Sequence, residues 1–120
     1  MISKFHRFHG YGSLRFVYHS GKTVRGPLTS VKFTLNPKRD SYRLAVVVSK
    51  KVHKSAVVRN RIRRRLYEVV RRLEPQFKGA YDIVYTVFHE QVADLPAADL
   101  EYLVQNQLSE AGIIDPAKPS

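Results

Sequence analysis

The chain has 120 residues, an apolar fraction of 43% and no cysteine, which suits one domain with its own core and excludes a disulfide framework, a thiol nucleophile or a cysteine-built zinc site. Its 21 Lys and Arg against 10 Asp and Glu give a net charge of +11. That is more than solubility requires and points to a polyanionic partner, nucleic acid ahead of an anionic membrane surface. The N-terminal segment lacks the apolar run of a secretory signal, and the longest apolar run, 44–48, is far short of the roughly 20 residues of a membrane span. The expectation is a soluble intracellular protein with no membrane partner.

In chain order, Leu14, Val17 and Tyr18 recur at helical spacing before Gly21, which predicts a short helix over 13–20. Val31, Phe33 and Leu35 alternate with Lys32, Thr34 and Asn36, a half-buried strand. A polar turn over 36–40 follows, then a second run over 42–49 that is apolar without alternation, as in a strand covered on both faces. These two strands are expected to pair as a hairpin. A strand over 81–88 and a helix over 97–111 complete the chain. Asp94 or Asp99 serves the first turn of that helix, Leu100, Leu103, Val104 and Leu108 form its apolar stripe, and Gly112 stops it.

Between these lies a helix of about 18 residues, from a Ser55 N-cap to Glu74, where Pro75 ends it. Val58, Ile62, Leu66, Val69 and Leu73 share one face, while Asn60, Arg61, Arg64, Arg65, Arg71 and Arg72 fan over the other and Arg59 and Arg63 sit nearer the apolar flank. From Lys50 to Arg72 there are ten basic residues, seven of them Arg, and a single acid, Glu68. A merely solvated helix face alternates acids with bases, and like charges this dense weaken an isolated helix. Arginine's planar fork holds two phosphate oxygens and stacks on bases, so the segment reads as a nucleic-acid contact.

No heptad repeat follows the basic helix, which excludes a zipper, and the strand-like run ending at Ser49 leaves no room for the first helix of a helix-turn-helix. RNA therefore ranks above duplex DNA. A structural RNA-binding protein of the ribosomal kind is the nearest rival, and a DNA-binding regulator a distant one.

The segments RLAVVVSKKVHK over 43–54 and AVVRNRIRRRL over 56–66 resemble the signature of the bacterial ribonuclease P protein component. The resemblance implies a small single-domain α/β sandwich of order α-β-β-β-α-β-α, its mixed sheet carrying a left-handed βαβ crossover, an exception to the usual hand. The domain is expected to span 1–112, with 113–120 a mobile tail. The implied function is that of the protein subunit of a ribonucleoprotein endoribonuclease, which binds a catalytic RNA and the 5′ leader of precursor tRNA and assists removal of that leader. By position, Lys50, Lys51, Lys54, Arg59, Asn60, Arg61, Arg63, Arg64 and Arg65 are implied to contact the catalytic RNA, and Leu14, Tyr18, Lys32 and Arg63 the leader. Leu14 stands where the family usually has an aromatic, and Ser55 is an added residue between the basic turn and the helix.

The resemblance also implies a catalytic centre in the RNA, Mg²⁺ held by RNA and substrate, a cytoplasmic setting and no protein partner. The residues agree that the chain itself performs no chemistry. His6 and His9 have no further His or Cys nearby to complete a metal shell. There is no nucleophile turn and no glycine-rich phosphate loop. His53 is read as a phosphate contact rather than an acid-base group, and Phe33, Tyr81, Tyr85 and Phe88 as core or sheet surface rather than platforms for bases. Lys22, Arg25 and Lys32 extend the positive surface.

Overall fold

The structure, a computed structural model, describes residues 17, 19, 21–36 and 41–115. Its strands are β1 (Lys22–Arg25), β2 (Thr29–Leu35), β3 (Arg43–Val48) and β4 (Tyr81–Val87), and its helices α1 (Ala56–Leu73) and α2 (Ala97–Glu110). Single 3₁₀ turns follow α1 and precede α2, at Glu74–Gln76 and Glu90–Ala93. Val17 and His19 are helical, within the expected first helix; Leu14 and Tyr18, like turn residues 37–40, lie outside the described residues.

The four strands form one sheet in the order β1-β2-β4-β3, with β3 and β4 parallel and the other pairs antiparallel. This corrects the expected hairpin, because β4 stands between β2 and β3. Its residues Asp82–Tyr85 are buried without a break, so β4 gains most from the centre, where both edges find partners for their backbone groups. The parallel neighbours β3 and β4 are joined through α1, the crossover that such a pair requires. Pattern alone missed β1, whose four residues KTVR turn only Val24 toward the core.

Alternation along the strands divides the sheet into two faces. Val31, Phe33, Leu44, Val46, Ile83 and Tyr85 meet the buried stripe of α1, which is Ile62, Leu66, Val69, Val70 and Leu73, and that of α2, Leu100, Val104 and Leu108. On the other face Val17 packs on Ala45 and Val84, with Val47 alongside. The described part of the first helix thus covers the β3–β4 side of a sheet whose opposite face carries both long helices. Gly21 allows that helix to end against the sheet. Its N–H reaches the Val17 carbonyl at 2.8 Å, and a Cβ there would lie 2.5 Å from the same oxygen.

The start of α1 is as expected. Ser55 is extended and its Oγ accepts the Val58 N–H at 3.4 Å. Helix α2 begins after Pro96 with no side-chain cap, and Asp99 rather than Asp94 lies in its first turn. At its end Gly112 adopts φ +80, the left-handed conformation a glycine takes freely. The following Ile113 N–H turns back to the Leu108 carbonyl at 3.0 Å. Ile113 and Ile114 are consequently buried, so the core continues past the expected boundary at 112. One polar cluster lies inside it: Gln107 Oε1 accepts from Thr29 Oγ1 at 2.8 Å and from the Tyr85 hydroxyl at 2.5 Å, while its Nε2 donates to the Thr29 carbonyl at 2.9 Å.

Candidate nucleic-acid interface

The basic residues begin in the turn that leaves β3. The Val52 N–H bonds to the Ser49 carbonyl at 3.0 Å, and Lys50, Lys51 and Lys54 are exposed around the bend. The turn is held from within. His53 Nδ1 accepts the Ser55 N–H at 3.0 Å, and Arg59 folds back from α1 to donate to the carbonyls of His53 at 3.0 Å and Lys54 at 2.9 Å. Three lysines are therefore presented on a backbone fixed relative to the helix.

The arginines of α1 divide into two kinds. Arg59, Arg63 and Arg65 are half-buried and bonded to the protein. Arg63 donates to Asn60 Oδ1 at 2.7 Å and to the Val48 carbonyl at 3.3 Å, tying the helix to the end of β3. Arg65 donates to the Val92 carbonyl at 2.8 Å and to that of Leu95, which corrects its placement on the open charged face. It lies one turn before Val69 on the helix, close enough to the apolar stripe to reach the segment that precedes α2. Arg61 and Arg64 point away. Arg61 is exposed, with the Asp94 carboxylate 3.8 Å off, and Arg64 is exposed with no hydrogen bond or ion pair among the described residues.

Charge is uneven along the helix. Toward its C-terminal end Arg71 pairs with Glu68 at 2.7 Å, and Arg72 lies 4.0 Å from Glu101. The bond to Arg71 holds the Glu68 carboxyl below its ordinary range. Residues 50–65, by contrast, contain eight Lys and Arg and no acid. The first turn of α1 also has no acidic residue, so the partial positive charge of the helix start adds to the cations around it. Two acids from the next segment come near, Glu90 at 3.8 Å from His53 Nε2 and Asp94 beside Arg61. The excess of positive charge is thus concentrated on the turn and the first half of α1.

A second surface lies on the sheet face away from the long helices. The register places Thr23, Lys32, Val84 and Ala45 in one row across it and Arg25, Ser30, Thr86 and Val47 in the next. Lys32, assigned to the leader from sequence, is half-buried on this face, while Arg63 stands at the β3 edge. The same face exposes Phe88 just beyond β4, with the Arg25 guanidinium 5.4 Å from its ring centre. Sequence reading treated Phe88 as ordinary sheet surface, and nothing in its local pattern marks it as a cation-covered ring. Among the described residues no group of three or more His, Asp or Glu is placed to hold a metal ion, and no helix is long and apolar enough to cross a membrane.

A family model described as Ribonuclease P matches residues 2–112. The ribonuclease P protein component of Synechocystis sp. is 34% identical over 99 residues, covering 82% of this chain and 79% of the relative. That of Roseiflexus castenholzii is 36% identical over 101 residues, covering 84% and 81%. Among solved structures, the RNase P protein of Staphylococcus aureus superposes with a TM-score of 0.81 at 24% identity over 92% of this chain and 98% of the other. That of Thermotoga maritima gives 0.77 at 22% identity over 87% and 96%, and both share this fold.

Proposed function

Because the chain belongs to the ribonuclease P protein family, it is the protein component of a ribonucleoprotein endoribonuclease that removes the 5′ leader of precursor tRNA, and we propose that it grips its two RNAs with separate faces. The turn bearing Lys50, Lys51 and Lys54 and the first half of α1 dock on the catalytic RNA. Arg61 and Arg64 make the outward phosphate contacts, while Arg59, Arg63 and Arg65 hold the backbone that presents them. Asn60 serves the same face by accepting from Arg63. The sheet face carrying Lys32, with Arg63 at its edge, takes the leader together with Leu14 and Tyr18.

The observation that carries this reading is the run of eight cations without an acid over 50–65, fixed on a turn and helix whose other side is core. Such an array lowers the repulsion between two polyanionic RNAs by replacing condensed counterions. In this reading the Mg²⁺ that cleavage requires is held by the RNA and substrate, and no chemical step is assigned to a protein side chain. The cytoplasm, where precursor tRNA is processed in bacteria, is the compartment this reading implies.

The test is cleavage of precursor tRNA at low Mg²⁺ by a bacterial ribonuclease P RNA with and without the protein, using one substrate with a long leader and one with almost none. Stimulation greater for the long leader is expected. Equal stimulation would leave a general electrostatic helper, and no stimulation with a matched RNA would remove the proposal.

A further inference from the structure

We infer that Phe88 and Arg25 form a base-stacking step at the end of the sheet face opposite the long helices, and that this step receives an unpaired base of the precursor-tRNA leader. The inference deepens the leader assignment above and rests on it.

Two independent observations place both side chains on that face. The Phe88 N–H bonds to the Leu28 carbonyl at 2.8 Å, which continues the β2–β4 ladder one residue past Thr29 and Val87. Phe88 therefore shares the side of Val84 and Thr86, away from the helix-facing Tyr85 and Val87. Arg25 occupies the Ser30–Thr86 row of the same face, and its guanidinium lies over the Phe88 ring.

The chemistry of the pair suits single-stranded RNA. Phe88 keeps 42% of its surface exposed, although a phenylalanine needed only for packing gains by being covered. Any base can stack on such a ring or on the guanidinium plane above it, and the N–H edge of Arg25 remains able to meet a phosphate. Beside the pair, the half-buried Thr86 supplies a hydroxyl and Ser30 is a buried polar residue, so the surround is not the apolar one of a protein-docking patch. The net charge of +11 favours a polyanion in any case. Along β4, Phe88 lies four residues beyond Val84, the partner of Lys32, or about 14 Å. A strand of RNA crossing from Lys32 to Phe88 would span a few nucleotides over a polar surface.

The test uses the reconstituted holoenzyme and compares the Kd of long-leader and leaderless precursor tRNA for the native protein, Phe88→Leu and Phe88→Trp. Leucine keeps an apolar side chain of similar bulk but has no π face. Phe88→Leu is expected to weaken long-leader binding about tenfold while sparing the leaderless substrate, with Phe88→Trp restoring it. If the native protein prefers the long leader and Phe88→Leu retains that preference, the stacking step is overturned and the leader assignment stands. Equal losses on both substrates would assign Phe88 to docking or folding and also overturn it. If the native protein shows no preference, the leader assignment itself fails.

Discussion

Arg65 and Leu95 are joined across the seam between α1 and the segment that leads into α2, with one guanidinium nitrogen on the Leu95 carbonyl and the other on that of Val92. The fork therefore serves as a clasp inside the protein, although it lies within a run of arginines that reads as an RNA contact.

Arg65→Ala should accordingly lower stability by about 2 kcal/mol, the scale of losing charge-assisted hydrogen bonds to partly buried carbonyls. Urea denaturation measures this. Arg65→Lys should recover only part of the loss, because an ammonium cannot reach two separate carbonyls with the same planar fork. Full recovery by lysine would show that charge alone matters at this position.

The pair Arg61 and Arg64 should behave in the opposite way. Both side chains point outward from α1, so the double alanine variant should stay within about 0.5 kcal/mol per site of the native stability. Its affinity for the catalytic RNA should fall, and the slope of log affinity against log salt should drop by up to about one for each lost phosphate contact. An unchanged slope with full folding would place the contacts elsewhere.

Gln107 supplies the acceptor for both Thr29 and Tyr85 in the core. Gln107→Leu strands two buried hydroxyls at once and leaves the Thr29 carbonyl only the Gly26 N–H as donor, for a loss on the order of 3 kcal/mol. Tyr85→Phe, which leaves the Thr29–Gln107 bonds in place, should cost less. A thermal or urea comparison of the two variants that reversed this order would contradict the network as described.

Tyr42 and Tyr85 are both held above the ordinary tyrosine range. Burial is the main cause for each, and for Tyr42 the hydrogen bond it donates to Glu74 at 2.9 Å adds to it. A raised folded-state pKa gives stability that is complete below the unfolded value near 10 and is lost as pH rises above it, since the unfolded chain then releases protons first. In an alkaline titration followed by tyrosinate absorbance, these two rings should ionise only with loss of the native circular dichroism. Their ionisation in a folded chain would show that they are less shielded than the structure indicates.

Sequence periodicity was sufficient for the elements whose stability is local. The Ser55 cap, the α1 stripe, the β4 run and the Gly112 stop each depend on residues a few positions apart, and each lies where the pattern put it. The excess of arginine over acid was likewise legible, because charge is a property of composition. The family signature, being contiguous, needed no contact between distant segments.

Only the tertiary structure decided which strands are neighbours and which cations are used internally. Short connections favour a hairpin between β2 and β3, yet β4 takes the position between them because its buried backbone needs partners on both edges. One helix turn separates Arg61 from Arg65, and what distinguishes them is that Arg65 reaches the Val92 and Leu95 carbonyls of the segment before α2, whereas Arg61 meets only the exposed Asp94 carboxylate of that segment. The Arg25–Phe88 pair depends on the β1–β2–β4 register in the same way, joining residues 63 positions apart. Side-chain type fixes what a residue can do, but long-range packing fixes which partner it meets.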